Sequence, residues 1–156
     1  MHMIYKALVH SMPDVHLRKL QGLVHQCFTT EIVTLPTLRS YDYAMIAQTN
    51  GQFIGALFAR ISMDKQQHEI SKFCVAPHMQ GGGLGADMLD ALHSELSATD
   101  TVIVLYVDPG IWHDRLVSFY ERNGLFVVAQ NEIETMMASK LLASPEAYKG
   151  NDAWPE

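Results

Sequence analysis

Hydrophobic positions along this chain change their period several times, and each change marks an element. Residues 3–9, MIYKALV, are rich in β-branched and aromatic side chains with imperfect alternation, which predicts a first strand. Ser11 and Asp14 then form a capping-box pattern, with Pro13 tolerated in the first helical turn. Leu17, Leu20, Val24, Cys27 and Phe28 follow on one helical stripe, weakened slightly by Gly22. Residues 29–41 are threonine-rich, interrupted by Pro36, and fit a short second helix or an ordered loop equally well. Residues 41–48 and 53–61 read as two strands joined by Asn50-Gly51, a strong hairpin signal. A further strand is expected over 67–76. The near-continuous apolar run VIVLYV within 101–107 suits a strand buried on both faces. A helix over 112–123 places Leu116, Phe119 and Tyr120 on one side, with Gly124 as its stop. Strands over 126–128 and 133–137 close the pattern, and 141–156 is a polar tail beyond a single domain of residues 1–140.

The stretch between the third predicted hairpin strand and the next helix is unusual. Val75 ends an apolar run, Pro77 stops it by removing a backbone donor, and Gly81, Gly82, Gly83 and Gly85 follow. From Leu84 onward the apolar residues Leu84, Met88, Leu92 and Leu96 take helical spacing, with Leu89 and Ala91 beside them. The glycines therefore sit at a helix N-terminus, where unpaired N–H groups and the positive end of the helix dipole converge. An anion is the expected ligand, and the loop length suits a diphosphate. The order is wrong for the dinucleotide fingerprint, and no lysine lies in the loop as a P-loop would need. A glycine-rich surface turn before an ordinary helix is the bland alternative.

Composition narrows the class. A chain of 156 residues with 48% hydrophobic content is one well-buried domain by size and excludes disorder. No apolar run approaches a membrane span, and MHMIYKALVH lacks the layout of a secretory signal, so a cytoplasmic protein without a membrane partner is expected. The net charge is −6 and no basic cluster occurs, which argues against nucleic acid and favours a cationic substrate. Cys27 and Cys74 match neither a metal knuckle nor a redox motif, and the eight histidines show no ligand spacing, so no metal is expected.

The motif Q-x-x-G-x-G/A is present as Gln80, Gly83, Gly85 and Ala86, preceded by V-x-P as Val75 and Pro77. This resembles the pyrophosphate-binding loop of the GNAT superfamily of N-acetyltransferases. The segment 116–128, LVSFYERNGLFVV, is similar to a second motif of that family through Tyr120, Glu121 and Gly124, with Leu116 and Leu125 replacing the usual alanine and phenylalanine. The order strand, helix, short helix or loop, three strands, helix, strand, helix, two strands is also the family's order. The resemblance implies an α/β fold with a mixed, mostly antiparallel central sheet flanked by helices. It also implies an acyltransferase using acetyl-CoA on a primary amine of a small molecule or peptide, in a family that often forms homodimers.

The resemblance further implies roles. Residues Gln80, Gly81, Gly82, Gly83, Leu84, Gly85 and Ala86 would hold the pyrophosphate. Phe73, Cys74 and Val75 would pair along the pantetheine arm, with a backbone N–H near Cys74 or Val75 as oxyanion donor. Tyr120 would be the general acid that protonates the departing thiolate; the alternative is an aromatic that merely packs. His113 stands where the family usually has a coenzyme-binding asparagine, and Trp112 beside it is read as a packing residue, with a place along the coenzyme channel as the alternative. Glu69, on the strand before the loop, is the candidate general base, with an exposed strand-end carboxylate as the equal alternative. By alternation Glu69, Ser71, Phe73 and Val75 share one face of that strand, and His68, Ile70, Lys72 and Cys74 share the other. Cys74 has no activating neighbour except Lys72, so a ping-pong route is set aside in favour of direct transfer. Two other readings stay open, an acyl-CoA-binding module without catalysis and an acetyltransferase acting on charged tRNA. The acidic balance opposes the second and Tyr120 opposes the first.

Overall fold

The hairpin signal at Asn50-Gly51 is where chain and fold agree most directly. In the computed structural model, which describes residues 2–140, Asn50 and Gly51 both take positive φ, 49° and 76°. That is the backbone of the tight turn whose twist matches the flanking strands. It joins β2 (Tyr43–Thr49) to β3 (Gln52–Ile61) in antiparallel register, with β1 (Met3–Leu8) antiparallel on the other side of β2.

Helix α1 spans Asp14–Cys27 and buries Leu17, Leu20, Leu23 and Val24. Its start departs from the expected capping box: Pro13 occupies the N-cap position, and no side chain caps it. Ser11 Oγ instead donates weakly to the Leu8 carbonyl, because Val9–Ser11 forms a 3-10 turn that carries it away from the helix. The Asp14 carboxylate is taken by Arg39, whose guanidinium also donates to the carbonyls of Val9 and Met12. The open choice over 29–41 resolves as a short helix, α2 (Leu35–Arg39), capped by Thr34 Oγ1 accepting from the Thr37 N–H.

Strand β4 (Gln67–Val75) leads through a 3-10 turn (Pro77–Met79) into α3 (Leu84–Leu96). Strand β5 (Val102–Val107), helix α4 (His113–Arg122), and strands β6 (Phe126–Gln130) and β7 (Thr135–Ala138) complete the described chain. The strand order is β1-β2-β3-β4-β5-β7-β6, mixed and mostly antiparallel, with β4 parallel to β5. The polar tail expected over 141–156 lies outside the described residues.

The chain divides into two compact units. The first comprises residues up to Arg60 together with Ser71–Ala98. Its core joins Leu17, Leu20 and Val24 of α1 to Ala44 and Ile46 of β2, Phe58 of β3 and Cys74 of β4. Gly55 of β3 lies under α3: an added Cβ would come 2.7 Å from the Met88 sulfur, so the Met88 side chain would have to shift, while the Cys74 carbonyl at 3.5 Å would be an ordinary contact. The second unit comprises Ile61–Ile70 and the described residues from Thr99 on. There Val102 and Val104 of β5 pack with Met136 and Ala138 of β7.

Two expectations are corrected. Strict alternation along β4 fails because Lys72 takes φ 52°, which interrupts the extended repeat between Ser71 and Phe73. Helix α4 contains no fully buried residue, Leu116 remains 41% exposed, and Trp112 is exposed rather than packed, with the Arg115 guanidinium 5.5 Å from its ring.

Candidate active site

In the first unit the end of β4 and the glycine loop form one hydrogen-bonded corner. The Val75 carbonyl accepts from Gln80 Nε2 at 3.0 Å and from Cys27 Sγ at 3.2 Å. The Ala76 N–H donates to the Ile54 carbonyl at 2.8 Å. Gln80 thus ties the loop back onto the strand that precedes it. Gly81 and Gly83 take φ of 83° and 86°, which few side-chain-bearing residues adopt. Gly83 is the N-cap of α3, no side chain caps it, and the first bond into the helix runs from the Asp87 N–H to the Gly83 carbonyl. The N–H groups of Leu84, Gly85 and Ala86 therefore precede the helical ladder and point outward from a 13-residue helix. Leu84 is buried and anchors the turn, whereas Gly81, Gly82 and Gly83 are exposed. Backbone donors arranged in this way can hold an anion without any basic side chain. Phe73 is half-buried and Cys74 is buried in the core, where the influence of Cys27 and then burial push the thiol well above the usual range. Such a thiol is a poor nucleophile.

The second unit holds the titratable groups. Tyr120 lies in the last turn of α4, its ring edge-on to Phe119 with centroids 5.3 Å apart. Gly124, at φ 93°, lets the Leu125 N–H return to the Tyr120 carbonyl at 3.1 Å and end the helix. Burial pushes the Tyr120 phenol up to about 12. Tyr106 of β5 is also raised to about 12, first by burial and then by the carboxylates of Glu69 and Glu134. Glu69 is half-buried and stands in register with Val104, two residues before Tyr106.

His113 begins α4 with both ring nitrogens engaged: Nε2 lies 2.7 Å from Thr135 Oγ1 and Nδ1 lies 2.9 Å from Asp114 Oδ1. It braces the start of α4 against β7, and a contact to coenzyme would have to replace one of these bonds. A cavity of about 270 Å³ opens beside it, lined by Gly110, His113, Asp114, Gln130, Glu134 and Thr135 among others. The β6–β7 turn that forms one wall is held by Asn131 Oδ1, which accepts from the N–H groups of Ile133 and Glu134.

Sequence reasoning missed Tyr106, Glu134, Thr135 and Gly55. A lone glycine within a strand was a readable sign of close approach at Gly55. A phenol inside the apolar run of β5 was a weaker sign at Tyr106. Nothing local marked Thr135 or Glu134, which matter through partners distant in sequence.

Residues 13–137 match the acetyltransferase (GNAT) domain model, and the chain belongs to that family of acyltransferases. Solved structures share the fold. An acyl-CoA N-acyltransferase from Pseudomonas aeruginosa superposes with TM-score 0.72 at 18% identity, covering 90% of this chain and 100% of that one. The ribosomal-protein-S18-alanine N-acetyltransferase of Escherichia coli gives 0.70 at 18% identity, covering 88% and 92%. The PaiA N-acetyltransferase of Thermoplasma acidophilum, in complex with coenzyme A, gives 0.72 at 15% identity, covering 90% and 99%. No curated protein sequence matches the chain. No helix among the described residues is long and apolar enough to cross a membrane.

Proposed function

We propose that this enzyme transfers the acetyl group of acetyl-CoA to a cationic primary amine, of a small molecule or a peptide, by direct attack within a ternary complex. The observation that carries the reading is the α3 N-terminus: an uncapped helix end behind two glycines in left-handed conformation. Backbone donors of Leu84, Gly85 and Ala86 would hold the pyrophosphate, with Gln80 fixing the loop. Phe73 to Val75 would lie along the pantetheine arm and supply the oxyanion donor.

The acceptor must shed a proton before its nitrogen attacks the thioester carbonyl, and Glu69 takes it, directly or through water. As the carbon–sulfur bond breaks, the Tyr120 phenol donates its proton to the departing sulfur. A phenol raised to about 12 is still protonated at neutral pH, so the acid is always loaded. The inert Cys74 thiol supports direct transfer over an acyl-cysteine route. A cationic acceptor is favoured by the half-buried carboxylates of Glu69 and Glu134, whose negative potential is felt by Tyr106.

A thiol-release assay over a panel of amines tests the reading. Tyr120→Phe should lower kcat by at least about 100-fold with little change in KM for acetyl-CoA, because the lost proton donor acts mainly in the transition state. Wild-type kcat should show no falling limb near pH ~10, the ordinary tyrosine range. Near-normal kcat in Tyr120→Phe, with chemistry rate-limiting, would reduce Tyr120 to a packing aromatic.

A further inference from the structure

The acetyl-transfer reading gives no task to Lys72, yet its backbone is the exception in β4. Lys72 takes φ 52°, in the left-handed region, between Ser71 and Phe73. For a residue with a side chain, that region is disfavoured by roughly 5–30-fold in population. Surrounding contacts must hold such a conformation in place. Two are present within the first unit. Lys72 Nζ meets Glu31 Oε2 at 2.7 Å and lies 5.8 Å from the centre of the Phe28 ring, and the lysine side chain is only 22% exposed.

Glu31 belongs to the segment between α1 and α2, and that segment is itself fastened to α1. The Glu31 N–H donates to the Phe28 carbonyl at 3.2 Å. Two residues further on, buried Val33 is gripped on both sides of its backbone. Its N–H donates to His25 Nε2 at 3.0 Å, and its carbonyl accepts from Gln21 Nε2 at 2.8 Å. Gln21 and His25 stand one turn apart on α1, so one helix face fixes the segment that carries Glu31. The ion pair therefore runs from a secured anchor to the kink in β4.

We propose that Lys72 is a positioning residue: its ion pair with Glu31 holds the left-handed kink in β4 that sets Phe73, Cys74 and Val75 for the arm of acyl-CoA. The inference rests on the reading of those three residues as the pantetheine strand. They follow the kink directly, and the Ala76 N–H then closes on the Ile54 carbonyl at 2.8 Å. A change of backbone at position 72 therefore redirects the peptide groups between Ser71 and that bond. The ammonium acts through this backbone and not through contact with the coenzyme. Acyl-CoA affinity is thereby linked to the order of the segment between α1 and α2, because only the kinked form is competent to bind.

Glycine separates the kink from the charge, because it adopts positive φ freely. Titration calorimetry with acetyl-CoA is run on the full chain and on Glu31→Ala, Lys72→Ala, Lys72→Gly and the double variant of Glu31→Ala with Lys72→Gly. Loss of a partly exposed ion pair should weaken binding by about two- to fivefold in Glu31→Ala and in Lys72→Ala. Lys72→Gly should bind within about twofold of wild type, and Glu31→Ala should add no further loss in that background. Where alanine at position 72 loosens the fold, Lys72→Met keeps the stem near Phe28 and should weaken binding in the same way. Amide exchange over residues 73–76 without ligand gives a second readout, faster in Glu31→Ala and Lys72→Ala than in wild type. If Lys72→Gly binds as poorly as Lys72→Ala, the charge matters and the kink does not. Wild-type affinity in both Glu31→Ala and Lys72→Ala would leave the pair without a role, and either result overturns the proposal. A wild type that binds no acetyl-CoA overturns the acetyl-transfer reading and the coenzyme role of the kink, whereas unchanged exchange rates overturn this inference alone.

Discussion

The three consecutive glycines of the loop allow backbone conformation to be separated from ligand approach. Gly81 and Gly83 hold φ of 83° and 86°, and an added Cβ at either meets nothing within 4 Å. The penalty of alanine there is purely conformational, about 1–2 kcal/mol for a side chain in the left-handed region. That is a factor of roughly 5–30 in the ratio of folded to unfolded chain. Gly82 differs, since its φ is not positive and its added Cβ would lie 3.7 Å from the Met79 carbonyl, an ordinary contact. Gly82→Ala should therefore stay within about 0.5 kcal/mol of wild type, or gain slightly from a stiffer unfolded chain. Urea unfolding measures these differences, and titration calorimetry with acetyl-CoA measures the second consequence. A methyl group at position 82 stands in a loop whose backbone is read as touching the pyrophosphate, so affinity should fall in Gly82→Ala while stability holds. If Gly83→Ala proves as stable as Gly82→Ala, the left-handed turn is not why glycine is there. If all three variants bind acetyl-CoA like wild type, the loop is not the pyrophosphate site.

Two further expectations concern the second unit. Tyr106 and Tyr120 keep their protons to about 12 when folded, against about 10 for a free phenol. Between these values the unfolded chain has released protons that the folded chain still holds, so stability should be level below pH ~10 and decline above it, with a slope approaching roughly 1.4 kcal/mol per pH unit for Tyr120 and a smaller, solvent-screened one for the more exposed Tyr106. Urea melts across that window should show the decline, with Tyr120→Phe removing its share; a flat profile refutes the raised titration of both phenols. Glu134→Gln should raise KM for a cationic amine several-fold and leave KM for a neutral one unchanged, and added salt should weaken the wild type toward the cationic amine in the same way. Equal KM values for both amines in wild type and variant would remove Glu134 from acceptor binding.

Much of the fold was legible because it is written in local chemistry. The Asn50-Gly51 hairpin, the stripe of Leu84, Met88 and Leu92 in α3, the apolar run of β5 and the stop at Gly124 each depend on residues a few positions apart. Period and turn chemistry report such features directly. The glycine loop was legible for the same reason, since the need for positive φ at Gly81 and Gly83 is a property of one residue at a time. Other features depend on partners remote in sequence. Ser11 had the pattern of a cap, but Asp14 was taken by Arg39 and the chain turned away before the helix began. Lys72 bears positive φ without being glycine; its ammonium is held by Glu31 at 2.7 Å and lies 5.8 Å from the Phe28 ring. A conformation of that kind is strained on its own, and surrounding contacts must hold it in place. The same applies to the raised phenols and the closed bonds of His113. Residue types and spacing by themselves determined where backbone would turn and which family's loop it would form. Burial and charge at a given atom were decided only when β4, β5, α1 and α4 came to rest, because desolvation and Coulomb forces act across space and are blind to position along the chain.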